Sequence, residues 1–152
     1  MNNQKLKEEL YILCKEFVNK KLATIENTIK SNQDALTSET KSSAGDKHET
    51  GRAMLQLEME KAGQQLKIVS EMKMILDRIN IQENLNICKL GSVVKTNGIN
   101  YFISISAGKL TIENEVFYAV SSKSPIGQLL IGKREGDTLN FNNNKFQILS
   151  LL

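Results

Sequence analysis

The sequence has 152 residues, 40% of them hydrophobic and 24% charged, which allows one compact globular domain or two small ones. A net charge of +3, without any run of five or more like charges, excludes a strongly basic protein that coats nucleic acid. Cys14 and Cys88 have neither metal-type nor disulfide-type spacing, so we expect two reduced thiols. The first ten residues, MNNQKLKEEL, lack the apolar region of a secretory signal, and no stretch approaches the roughly 18 apolar residues of a membrane span. We therefore expect a cytoplasmic protein without membrane contact.

The composition changes near residue 80. Residues 1–79 contain no proline and three of the nine glycines, whereas residues 80–152 contain Pro125 and the other six glycines. Six of the eight aromatic residues also lie in the second half. This predicts two domains, at residues 1–79 and 80–152.

Apolar residues in the first half recur every three or four positions, which is typical of a coiled-coil seam. They predict helices from about Lys5 to Leu36 and from about Asp46 to Ile79. The small, polar segment 38–51 is typical of a turn between helices, so we predict an antiparallel coiled-coil hairpin with its tip at 38–51. We expect Gly63 to let the partner helix approach closely. The seam positions are Leu6, Leu10, Leu13, Phe17, Val18, Leu22, Ile25, Ile29 and Leu36, then Leu55, Met59, Ala62, Leu66, Val69, Met72, Ile75 and Ile79.

The second half predicts strands joined by tight turns. Asn97-Gly98 is typical of a hairpin turn, and further turns are predicted near Glu113-Asn114 and around 142–144. The segment SPIGQLLIGK predicts a short helix with Ser124 as N-cap and Pro125 in the first position. Strands with one short helix indicate a small β-rich domain, and the whole chain is therefore assigned to the α+β class.

Two acidic residues, Asp46 and Glu49, stand in the tip sequence GDKHETG. Helix positions three apart share a face, so both carboxylates could hold a divalent cation such as Mg²⁺. The alternative is a capping box, with Asp46 as the cap and Glu49 at its third position. Spacing alone favours the cap.

Basic residues surround this pair. Lys41, Lys47 and Arg52 either belong to a solvated loop of mixed charge or contact phosphates or an acidic surface, and spacing does not decide between these. His48 is the only histidine, and a solvated side chain is a simpler interpretation than a catalytic base, which needs a positioned partner. Lys123, Lys133 and Arg134 similarly favour solvated surface positions over partner contacts.

With these motifs in place, the sequence resembles the Gre transcript-cleavage factors of bacterial RNA polymerase over almost its full length. GDKHETG is similar to the family's G-D-x-x-E tip. The more specific likeness is SPIGQLLIGKREGDTLNF followed by FQIL, which resembles the family's S-P-L/I-x-x-A/L-L-x-G-K-x-x-G-D segment and closing strand.

The resemblance implies an FKBP-like C-terminal domain that docks on RNA polymerase and a hairpin that enters its secondary channel. Asp46 and Glu49 would then help to coordinate Mg²⁺ in the polymerase active site, where backtracked RNA is cleaved at its 3′ end. The implied partner surface comprises Lys47, His48, Arg52, Ser124, Pro125, Lys133 and Arg134. No tightly bound cofactor is implied, contact with RNA and DNA would occur only through the polymerase, and the chain is expected to be a monomer and no enzyme by itself.

Around the acidic pair the sequence departs from the family pattern. Lys47 and Arg52 replace less basic residues, Met54 stands at a tyrosine-like position, and Gly51 loosens the first turn. Two alternatives therefore stay open: a regulator that occupies the channel without promoting cleavage, and an unrelated coiled-coil adaptor.

Overall fold

The computed structural model describes residues 1–41, 45–83 and 86–152, and within these ranges the side chains of residues 39–41 and 45–48 lie outside the described part. The chain forms two compact units: Val18–Lys73, and a larger unit that joins Met1–Phe17 to Met74–Leu152. The composition-based domain boundary near residue 80 stays a prediction.

Two long helices form the smaller unit and continue beyond it. α1 spans Asn3–Lys41 and α2 spans Gly45–Asp77. The unit buries one line of side chains, since Ile25 lies seven residues after Val18, and Val69 seven after Ala62, with all four buried. That heptad spacing is what a helix pair needs to keep one stripe against its partner. The predicted helical hairpin is confirmed.

The expectation for Gly63 was wrong. Gly63 is exposed, and a Cβ atom added to it would contact no neighbouring atom within 4 Å. Its neighbour Ala62, a predicted seam position, is buried at 2% exposure, so the small side chain that faces the seam is Ala62 and not Gly63.

Among its described residues, the larger unit contains a six-stranded mixed sheet and one short helix, which confirms the predicted α+β class. The strand order is β3-β4-β2-β1-β6-β5. Only β2 and β4 pair in parallel, and the other neighbours are antiparallel. The elements are β1 (Val93–Thr96), β2 (Asn100–Ser104), β3 (Gly108–Ile112), β4 (Glu115–Ser121), α3 (Pro125–Leu130), β5 (Thr138–Phe141) and β6 (Asn144–Leu151).

Tight turns between strands occur where the sequence predicts them. Glu113 and Asn114 have φ values of 48° and 68°, and Asn142 and Asn143 have φ values of 52° and 66°. Two consecutive residues with positive φ match the type I′ turn, whose twist suits an antiparallel hairpin and which asparagine tolerates well. The Asn97-Gly98 turn likewise joins β1 to β2.

The two faces of the sheet are packed differently. Val93 pairs with Phe102 on one face, where both are fully buried. The first part of α1 contacts this face, because the Cys14 Sγ lies 3.6 Å from the Ser104 Oγ. On the opposite face, Tyr101 and Ile103 join the buried side chains of α3 in one apolar cluster.

Both cysteines are free and buried in this unit. Burial raises the pKa of each thiol, at Cys14 and at Cys88, to about 11, so both stay protonated at neutral pH. This agrees with the expected reduced packing thiols. Across the described residues, neither long helix combines the length and the apolar character that crossing a membrane requires.

Candidate functional site

The predicted acidic pair lies where α2 begins. α2 starts at Gly45, so Asp46 is its second residue and Glu49 its fifth. The Glu49 side chain is exposed, and the backbone of both residues is helical, which places them on one face. The Asp46 side chain lies outside the described residues.

The chemistry of this pair limits what it can bind alone. Mg²⁺ takes six oxygen ligands and keeps several waters or phosphate oxygens beside one or two carboxylates. No group of three or more His, Cys, Asp or Glu side chains that could hold a metal occurs in the described part of the chain. Whether the pair holds a metal stays a prediction. The capping-box alternative requires Asp46 to precede the helix, whereas α2 already includes Asp46 as its second residue.

The basic residues near the pair are only partly described. Lys47 and His48 belong to α2, and their side chains, like that of Lys41, lie outside the described residues. Arg52 is exposed and, three residues after Glu49, shares its helix face. Their partner-binding roles stay predictions.

The second predicted site, in the larger unit, begins at the N-terminus of α3. The Ser124 Oγ accepts a hydrogen bond from the Gly127 amide at 3.1 Å and donates one to the Ser121 carbonyl at 2.7 Å. Pro125 occupies the start of the helix, as predicted, and is exposed. A Cβ on Gly127 would lie 2.1 Å from the Ser121 carbonyl oxygen, so this tight corner requires glycine.

Lys133 and Arg134 follow the other end of α3. The Arg134 amide donates to the Asp137 carboxylate at 2.8 Å, and Gly132 and Gly136 have φ values of 85° and 91°, which suit glycine. Arg134 is exposed and Lys133 half-buried. Since α3 has six residues and rises about 1.5 Å per residue, about 9 Å of helix separates the two parts of this site.

Two buried polar residues were missed by the sequence analysis. Lys7 is 2% exposed, its Nζ donates to the Glu83 carbonyl at 3.2 Å, and burial lowers its pKa. Asn32 is 6% exposed, and its Nδ2 has no hydrogen-bond partner among the described residues. Asn32 stands seven residues after Ile25, so the heptad count could have found it, whereas nothing local marks Lys7.

Comparisons with known proteins do not assign this chain to a family. No protein-family model matches the sequence, and no curated protein matches it. The chain is similar to a solved structure described as "Structure of the transcription factor Gfh1", with a TM-score of 0.33 and 18% identity, over 93% of this chain and 92% of that chain. Values this low do not show a family, so a functional proposal has to rest on the residues of this chain.

Proposed function

We propose that this protein is a Gre-like transcription elongation factor that binds bacterial RNA polymerase and stimulates cleavage of backtracked RNA. The observation that carries the proposal is the placement of the acidic pair. Asp46 and Glu49 lie at the beginning of α2, at the turn end of a helical hairpin, and Glu49 is exposed. A carboxylate in that position is available to a second molecule and is not used in the hairpin's packing.

In this role the chain contributes ligands and the polymerase contributes the reaction. Asp46 and Glu49 would offer carboxylate oxygens to Mg²⁺ in the polymerase active site. A metal ion there can generate a hydroxide nucleophile and stabilise the leaving oxygen of a phosphodiester. Two carboxylates bind such an ion weakly when they act alone, because most of its ligand positions stay with water. The protein would accordingly be an accessory factor, with no tightly bound cofactor and no activity of its own.

The larger unit would provide the docking surface. Pro125 and Arg134 are exposed at the two ends of α3, and Lys133 adds a second positive charge beside Arg134. Ser124 is occupied by its capping bonds, so its contribution would be to shape this corner. RNA and DNA would be reached only through the polymerase, with the protein acting as a monomer.

One observation favours a second candidate, a regulator that occupies the channel without promoting cleavage. Arg52 shares a helix face with Glu49, and Lys47 stands between Asp46 and Glu49 in the sequence. Positive charge near carboxylates competes with a cation for them. This candidate predicts polymerase binding and altered initiation or pausing without RNA fragments.

The deciding experiment adds the protein to backtracked complexes of bacterial RNA polymerase and measures short 3′ RNA fragments. We expect fragments with the wild type, and a loss of at least about 10-fold for Asp46→Asn and for Glu49→Gln, since removing even an outer partner of a metal ligand costs about 10–100-fold. Raised Mg²⁺ should restore part of the lost activity.

Glu71→Gln is the matched control, because Glu71 is an exposed carboxylate further along the same helix. It should leave cleavage unchanged. Binding without fragments from the wild type would reject cleavage in favour of the channel regulator. Failure to bind core polymerase in a pull-down would reject both and favour an unrelated adaptor.

A further inference from the structure

A groove of about 300 Å³ lies between the first part of α1 and one edge of the sheet. Its helix side consists of Glu9, Ile12 and Leu13, and its sheet side consists of Thr111–Glu113. All of these residues belong to the larger unit. Ile12 is 51% exposed, so apolar surface on the helix stays open to solvent at the groove. A groove of this volume accommodates one side chain of a partner.

The sheet side of the groove is a strand with an unpaired edge. β3 is first in the strand order and pairs only with β4, and its backbone forms no hydrogen bond with any other element in the described part of the chain. In an antiparallel pair, alternate residues direct their N–H and C=O groups away from the partner strand, so β3 offers these groups to an incoming strand. Because Thr111 and Ile112 of β3 themselves line the groove, a peptide added to β3 would place side chains in it.

The two sides of β3 carry opposite charge. Leu110 and Ile112 are buried on the face that the first part of α1 contacts, whereas the exposed Lys109 lies on the opposite face, because side chains alternate along a strand. Glu9 and Glu113 are the only charged residues that line the groove, and neither carboxylate forms an ion pair with a described residue. A strand added to β3 would therefore meet two carboxylates on its α1 side and a lysine on the other.

We propose that the groove between α1 and β3 binds an extended segment of a partner protein in which basic residues stand two positions before and two after a branched aliphatic residue. The segment pairs with the free edge of β3, its aliphatic side chain contacts Ile12 and Leu13, and its basic side chains face Glu9 and Glu113. This spacing follows from strand geometry, because side chains two residues apart share a face. The site uses none of the residues of the proposed cleavage function, so either proposal can fail while the other holds.

The test titrates the full chain with blocked heptapeptides and follows backbone amide shifts by NMR. The in-phase basic peptide, Thr-Lys-Thr-Leu-Thr-Lys-Thr, should give saturable shifts at Ile12 and along β3. The out-of-phase peptide, Thr-Thr-Lys-Leu-Lys-Thr-Thr, has the same composition but directs both lysines away from the carboxylates. It should bind about 2- to 30-fold more weakly, because it loses two exposed ion pairs. The acidic peptide, Thr-Glu-Thr-Leu-Thr-Glu-Thr, also adds repulsion and should bind at least about 4-fold more weakly.

Strand pairing is tested on the backbone of the in-phase basic peptide. Only alternate residues of an added strand form hydrogen bonds with β3. One version of the peptide carries N-methyl groups on the lysine and leucine amides, and a second version carries them on the threonine amides. One of the two should lose at least two hydrogen bonds and bind about 5-fold or more weakly, whereas the other should bind almost as tightly as the parent peptide.

Charge reversal on the protein supplies the third arm. Replacing Glu9 and Glu113 together by lysine should invert the preference between the in-phase basic peptide and the acidic peptide. The matched control replaces Glu26 and Glu135 by lysine, because these are exposed glutamates on α1 and in the larger unit that do not line the groove. The control should leave the preference unchanged, and amide shifts remote from the groove report whether each variant is folded.

Four results would overturn the proposal. The first is the absence of saturable shifts along β3 with the in-phase basic peptide. The second is equal affinity for the two basic peptides, which would mean attraction by charge alone. The third is full affinity of both N-methylated versions, which would exclude strand addition. The fourth is an order of affinities that lysine at positions 9 and 113 does not change.

Discussion

The larger unit, here called the sheet unit, and the smaller unit, here called the hairpin unit, bury their side chains in different ways. In the sheet unit both faces are packed, and Phe102, Phe117 and Leu130 are completely inaccessible to solvent. In the hairpin unit each helix buries one stripe, and α2 leaves Met54, Leu57 and Ile68 more than half exposed. Since the free energy of folding scales with the apolar area removed from water, the sheet unit should hold most of the stability.

The largest expected effect is a core truncation in the sheet unit. Phe102→Ala should lower the free energy of unfolding by about 3–5 kcal/mol, as large-to-small changes at fully buried phenylalanines do. Val69→Ala in the hairpin should cost only about 1.5 kcal/mol, at about 0.8 kcal/mol for each buried carbon removed.

Urea unfolding can distinguish a loss of stability in the sheet unit from one in the hairpin unit. All three tyrosines lie in the sheet unit, so their fluorescence reports that unit, whereas circular dichroism at 222 nm reports chiefly the helices. The unfolding curve followed by tyrosine fluorescence should show the full decrease in the free energy of unfolding that Phe102→Ala causes. Equal losses for both variants would contradict the difference in packing between the two units.

Alkaline pH should weaken the sheet unit selectively. The unfolded thiols of Cys14 and Cys88 lose their protons near pH 9.0, whereas the folded thiols keep theirs to about pH 11. The unfolded state then binds fewer protons between these values, so stability falls as pH rises, by about 2 kcal/mol for each thiol at pH 11. The raised pKa values of Tyr11 and Tyr101 act in the same direction, and the lowered pKa of Lys7 opposes them.

Unfolding curves at pH 7, 9 and 10.5 check this slope. Replacing Cys14 and Cys88 together by alanine should lower stability at pH 7 and flatten the dependence above pH 9. A slope that the double variant keeps unchanged would exclude the thiols as its source.

Replacing either of two glycines by alanine should change the stability of the protein, but in opposite directions. Gly127→Ala would place a Cβ 2.1 Å from the Ser121 carbonyl oxygen, so backbone has to move, at a cost of about 1–3 kcal/mol or more. Gly63→Ala meets nothing within 4 Å and should raise stability by up to about 1 kcal/mol through helix propensity. Thermal melts of both variants measure these changes in stability. An increase in stability for Gly127→Ala would show that the backbone at Ser121 moves to accommodate the added Cβ atom.

Local chemistry accounts for what the sequence could predict. The asparagine turns, the Ser124 cap and the start of α2 near Asp46 depend on a few adjacent residues, and the structure has them at those positions. Lys7 is buried because it meets Glu83, 76 residues away, and no local pattern contains that contact.

Only part of the candidate site could be predicted from the sequence. The helical repeat places Asp46 and Glu49 on one face, and Glu49 is exposed as a metal ligand for a partner must be. Under the proposed function its use would depend on a second protein, which no property of this chain alone determines. Gly63 shows a related limit, since it lies beside the correctly predicted seam residue Ala62 and yet faces open space.

The smallest expected effect concerns Asn32, the polar member of the hairpin's buried stripe. Asn32→Leu should stabilise the hairpin by about 1 kcal/mol, because it removes a buried amide whose Nδ2 has no partner among the described residues and adds apolar contact. Asn27→Leu, at an exposed position on the same helix, is the control and should be nearly neutral in thermal melts at 222 nm.

A buried asparagine in a helical seam commonly selects one register and oligomeric state at a cost in stability. If Asn32 has this role, Asn32→Leu should also self-associate at concentrations where the wild type does not, which sedimentation velocity would detect. A destabilised Asn32→Leu would mean that the amide makes a favourable contact, and the hairpin would then be held by more than its apolar stripe.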